Sequence, residues 1–177
     1  MSEHEKSTQF SAQKETRPKI DGFIEKLTDD EMKNNVLNLI EYCKTNKFSL
    51  AWGATNKWFI RFKNKTIGTI RLGGMQVGRK YLDENTWEVS ASMDINSAIY
   101  KEYSEKEDLT KIIWQNVKRC DGCLTSCAPG HTITVLGKEF SNVCGYGICY
   151  TNPDTATLNC IKKLLELRKE LIIENKA

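Results

Sequence analysis

Residues 57–72 read KWFIRFKNKTIGTIRL, and their period is two. Trp58, Ile60 and Phe62 fall on one side, and Phe59, Arg61 and Lys63 on the other. Successive side chains of a strand point to opposite faces, so this stretch reads as a half-buried strand, whereas a helix would scatter the same residues. A second run, TIGTIRL, follows after Asn64-Lys65, which predicts a turn and a hairpin. Upstream, FSLAW at 48–52 is rich in β-formers. Downstream, GGMQVG at 73–78 interrupts the pattern and TWEVSASM at 86–93 resumes it, with Trp87, Val89, Ala91 and Met93 inward. Consecutive strands joined by short turns predict an antiparallel meander.

The period changes to 3.6 on either side of this block. Thr28 and Glu31 have capping-box spacing, and Met32, Val36, Leu39, Ile40 and Cys43 then recur at helical intervals, predicting a helix over 29–45. Pro18 suits an early helical position before KIDGFIEKL. Ser104 and Glu107 repeat the capping-box spacing before Leu109, Ile112, Ile113 and Val117, which predicts a second helix ending at Cys120. TITVLG and GYGICY follow as strands, with a turn at Gly137-Lys138. A last helix opens at TNPD, with Asn152 as N-cap and Pro153 in the first helical position. Its buried face is Leu158, Ile161, Leu164, Leu165, Leu167, Leu171 and Ile172. The expected fold is one α+β domain over 18–177, a mostly antiparallel sheet packed by about three helices with a cysteine-rich loop. Residues 1–17 are expected to be a polar tail, since they lack the apolar content to fold alone.

The chain of 177 residues carries 26 basic and 23 acidic side chains, a net charge of +3. That balance argues against a nucleic-acid or membrane partner driven by charge. No apolar run is long enough to span a bilayer, and the N-terminal stretch has no apolar signal region. A reducing cytoplasmic setting is the expectation, and there clustered cysteines serve as metal ligands or redox groups more often than as disulfides.

Those cysteines form the chemical signal. RCDGCLTSCAPGH, residues 119–131, holds Cys120, Cys123 and Cys127, with His131 close behind. Sixteen residues separate Cys127 from Cys144, and Cys149 lies five positions beyond Cys144. Two thiols separated by two residues can turn inward around one ion when a glycine, here Gly122, frees the loop. Thiolates are soft ligands that favour zinc or iron–sulfur clusters, and four of them close a tetrahedral zinc site. The expected ligand set is Cys120, Cys123, Cys127 and Cys144, with Cys149 or His131 as substitutes for the fourth. A thiolate just past a helix C-terminus would be disfavoured by the dipole, and a bound cation would offset that. The same placement counts against a dithiol redox pair, whose usual seat is a helix N-terminus. Cys43 and Cys160, single cysteines on helices, read as small apolar core residues.

CDGCLTSCAP also resembles the tail of the bacterial ferredoxin pattern, C-x2-C-x3-C followed by proline. It departs at Val117, where that pattern has a further cysteine, and at Ala128, which intervenes before Pro129. The resemblance implies an iron–sulfur cluster with Cys144 or Cys149 as fourth ligand.

Other features point to no enzyme. No phosphate-binding glycine motif, nucleophile elbow or paired-histidine metalloprotease motif is present. Trp58, Trp87 and Trp114 read as core, whereas Trp52, at a strand end beside Gly53, is expected to face a cleft together with Tyr81. Arg61, Lys63, Lys65 and Arg71 read as a solvated outer sheet face and not a nucleic-acid surface. The functional expectation is a cytoplasmic module that binds a small molecule or protein, its cysteine loop clamped by structural zinc. The alternative is an iron–sulfur or thiol redox protein.

Overall fold

The computed structural model describes residues 3–25, 27–77, 80–120 and 130–174. Among them are helices α1 (Glu3–Thr16), α2 (Asp21–Ile24), α3 (Asp30–Thr45), α4 (Ala98–Lys106), α5 (Thr110–Gln115) and α6 (Thr155–Ile173). The strands are β1 (Ser49–Ala54), β2 (Lys57–Phe62), β3 (Lys65–Leu72), β4 (Met75–Val77), β5 (Lys80–Leu82) and β6 (Trp87–Ala91). The chain continues through β7 (Val117–Arg119), β8 (His131–Val135), β9 (Lys138–Ile148) and β10 (Tyr150–Thr151). The architecture is α+β with antiparallel pairing throughout, as the alternation in 57–72 predicts.

The main sheet has the order β1-β2-β3-β6-β10. Its register sets Trp58 against Ile70, Ile70 against Val89 and Val89 against Tyr150. This row is the apolar face, and all four side chains are fully buried. The row beside it points the opposite way and runs Lys57, Arg71, Glu88. The β2–β3 turn has positive φ at Lys63 (45°) and Asn64 (65°), the pattern of a type I′ hairpin, so the turn sits one residue earlier than expected. The GGMQVG break is a separate hairpin, β4–β5. A separate three-stranded sheet has the order β7-β9-β8. Its β8–β9 turn is again type I′, at Leu136 (50°) and Gly137 (86°).

Helices α3 and α6 cover the apolar face with the side chains their periodicity names. Leu164 and Leu165 reach zero exposure, and burying one such leucine stabilises the fold by roughly 1.5–3 kcal/mol. Gly68 lets α6 come this close. A Cβ there would stand 2.5 Å from the Ser90 carbonyl oxygen and 3.2 Å from Leu165.

Three expectations about helices are corrected. The stretch expected as a tail contains α1, and its C-terminal half is docked. Buried Gln13 donates to Asn56 Oδ1 at 2.8 Å and accepts from the Asn56 backbone N–H at 2.9 Å. Pro18 precedes a single short turn of helix, α2, without entering it. The helix predicted over 104–120 is two helices and a strand. Asp108 takes φ 55°, which ends α4; α5 follows, and β7 starts at Val117. Ser104 is a fully buried residue inside α4 and not its cap.

Two caps move by one or two residues. Asp29, not Thr28, caps α3, accepting from the Met32 N–H at 2.7 Å, while Thr28 donates to Asn85 at 2.6 Å. Asp154, not Asn152, caps α6, accepting from the Thr157 N–H at 2.8 Å. Asn152 (φ 43°) instead accepts from the Trp87 N–H at 2.8 Å, fixing the β10 turn against β6.

Candidate functional site

The small sheet carries Cys144 on β9 and positions Cys120 just past the end of β7. Arg119 on β7 and His131 on β8 both pair with Val143 of β9, so those three share one face. Strands β7 and β9 are antiparallel, so Cys120 and Cys144 flank the Arg119–Val143 rung on either side and share the other face, two rungs apart. Two observations tie Cys120 down. Its N–H donates to the Asn142 carbonyl at 2.7 Å, and the Asn142 side chain donates back to the Cys120 carbonyl at 3.0 Å. Gly130 closes the base of the loop: a Cβ there would stand 2.7 Å from the Cys120 Cβ. Residues 120 and 130 thus abut, and 121–129, with Cys123 and Cys127, lie outside the described residues.

Cys144 is 6% exposed and stands apart from the main core. Cys120 is half-buried, and His131 is exposed on the opposite face. Because β7 separates Cys120 from the end of α5, the helix dipole acts neither against a thiolate there nor against a redox pair. Among the described residues no three Cys, His, Asp or Glu side chains form a group able to hold a metal ion.

Cys149 belongs to a different cluster, where the two sheets meet. Glu88 of β6 is 4% exposed and takes two cations: Lys118 Nζ from β7 at 2.7 Å and Arg71 Nη1 from β3 at 3.3 Å. Burial alone would raise the Glu88 carboxyl, but the Lys118 hydrogen bond and the two positive charges outweigh it and hold it below its usual range. Burial also opposes the charge on Lys118, and the Glu88 carboxylate reverses that, holding the ammonium above its usual range. Burial, reinforced by the Glu88 charge, pushes the Cys149 thiol up to about 12, so it is a neutral thiol at physiological pH. Neither a ligand thiolate nor an activated nucleophile is favoured there. Cys43 and Cys160 are fully buried on α3 and α6, and burial pushes them up to about 12 and about 11, in keeping with core residues.

The aromatic pair expected at a cleft is not brought together as a site. Trp52 is half-buried under α1: its Nε1 donates to Gln13 Oε1 at 3.2 Å, and its ring lies 6.2 Å from that of Phe10. The side chain of Tyr81 lies outside the described residues. Trp58 and Trp87 are core, and half-buried Trp114 donates to the Val135 carbonyl at 2.8 Å. Sequence reasoning missed Glu88 and Lys118. The signal available was a carboxylate flanked by inward Trp87 and Val89, but nothing local tells that β7 packs across it.

No protein-family model matches the chain, and comparison with curated proteins and with solved structures returns no match. Among the described residues no helix is long and apolar enough to cross a membrane.

Proposed function

We propose that this chain is a cytoplasmic binding module for a small molecule or protein, whose cysteine loop is clasped by one structural zinc ion on Cys120, Cys123, Cys127 and Cys144. The observation that carries the reading is the shared face of Cys120 and Cys144, on either side of the Arg119–Val143 rung, with residues 120 and 130 in contact beside them. A loop closed at its base can return Cys123 and Cys127 toward that face, and four thiolates complete a site with no open position. The same geometry supports Cys144 over the two substitutes. His131 is on the opposite face, and Cys149 is a neutral thiol held beside Glu88.

Elemental analysis and an absorption spectrum of anaerobically purified protein test this. One zinc per chain is expected in the wild type and in Cys149→Ser, with stoichiometric zinc lost in Cys123→Ser and Cys144→Ser. Protein with no stoichiometric metal overturns the clasp. A brown preparation absorbing in the visible range replaces zinc with an iron–sulfur cluster.

A further inference from the structure

A cavity of about 440 Å³ lies at the end of β6. Its origin is topological. Strand β10 pairs with β6 only at Glu88 and Val89, so among the described residues no strand lies beside that edge of β6 from Ser90 onward. Gly147 and Ile148 of β9 and Arg168 of α6 form the remaining walls. The volume falls within the range of small-molecule sites, roughly 300–1,000 Å³.

The lining is divided by chemistry. Met93, Ile95 and Ile148 are apolar, whereas Asp94 and Arg168 carry opposite charges. Among the described residues no ion pair joins Asp94 to Arg168, and none joins either to a third group. Both charges are nevertheless held in place. One Asp94 oxygen accepts from the Asn96 N–H at 3.0 Å, which leaves the other oxygen open. Arg168 stands on α6 between core residues Leu167 and Leu171, and its guanidinium faces the hydroxyl of buried Tyr100. That hydroxyl donates to the Ser92 carbonyl at 3.4 Å. Opposite, mutually unpaired charges on exposed Asp94 and half-buried Arg168, in one part-apolar cavity, match a ligand with both charges and an apolar body, because each charge then gains a partner.

We propose that this cavity binds a free α-amino acid with an aliphatic side chain, its carboxylate on Arg168, its ammonium on Asp94 and its side chain against Met93, Ile95 and Ile148. The proposal takes up the binding-module reading and does not depend on the metal.

The test is titration calorimetry on the full chain with three probes of one shape: L-leucine, 4-methylpentanoate, which lacks the ammonium, and 3-methylbutylamine, which lacks the carboxylate. Leucine is expected to bind at least about tenfold more tightly than either, the size of one charge-assisted hydrogen bond. Arg168→Gln is expected to weaken leucine and 4-methylpentanoate alike. Asp94→Asn is expected to reduce leucine to the level of 4-methylpentanoate and leave the latter unchanged. The three-probe comparison needs only the wild type, so it holds even if a variant folds poorly. Absence of leucine binding at millimolar concentration, or a singly charged analogue binding as tightly as leucine, overturns the proposal. Zinc content measured on the same sample separates the two readings: leucine binding by zinc-free protein supports this site while removing the clasp.

Discussion

Glu88 carries one charge against two. It sits 2.7 Å from Lys118 and 3.3 Å from Arg71 across the junction of the two sheets. Glu88→Gln leaves both cations without their carboxylate, and we expect a loss of roughly 2 kcal/mol at pH 7, below the figure for a fully enclosed pair because Lys118 stays 33% exposed. The pH dependence follows from the depressed carboxyl. A group whose folded value lies below its unfolded one stabilises fully above the unfolded value, about 4.3, and loses that contribution as pH falls through the folded value. Urea unfolding of both proteins at pH 7 and about pH 3.5 should therefore show the gap between them closing in acid. A gap that stays constant would mean that the ion pairs contribute no pH-linked stability. None of this was legible locally: Glu88 looks like an ordinary outward residue of a strand, and Lys118 like part of a helix tail.

At the scale of elements, periodicity transferred well and termini did not. The buried stripes of α3 and α6 are the residues that 3.6-spacing names, because each helix has one large apolar face to hide. Cap identity was less legible, since Thr28 and Asp29 are both good N-caps and the turn before β6 decides between them. Thr28 is drawn off to Asn85, leaving Asp29 to the helix. Asp29→Ala should cost about 1 kcal/mol and Thr28→Ala clearly less, measured by chemical denaturation. Equal losses would mean that Thr28 shares the capping. The predicted 104–120 helix failed for a related reason. Its apolar stripe continues through Val117, but the backbone at Asp108 and again at Asn116 turns, and β9 offers Val117–Arg119 a strand partner that no local pattern announces.

At the scale of the whole molecule, α1 is the element that composition hid. Its residues are polar, and it is docked by a few specific bonds where a broad apolar face is absent. Gln13 reaches Asn56, 43 positions away, and covers Trp52. Gln13→Ala should leave the buried Asn56 side chain short of a partner, lowering stability by about 1–3 kcal/mol and shifting Trp52 emission to the red. An unchanged spectrum would mean that α1 does not shelter that ring. By itself the sequence determined the α+β class, the hairpin at 57–72 and the inward sets of the two long helices, because strand and helix periods act over short range. Only the tertiary structure decided that Cys144 shares a face with Cys120 while Cys149 serves Glu88, that Trp52 is covered, and that Asp94 and Arg168 meet in one cavity. Those outcomes depend on strand register and on which edges the chain leaves unpaired, and both are set by packing between segments far apart in the sequence.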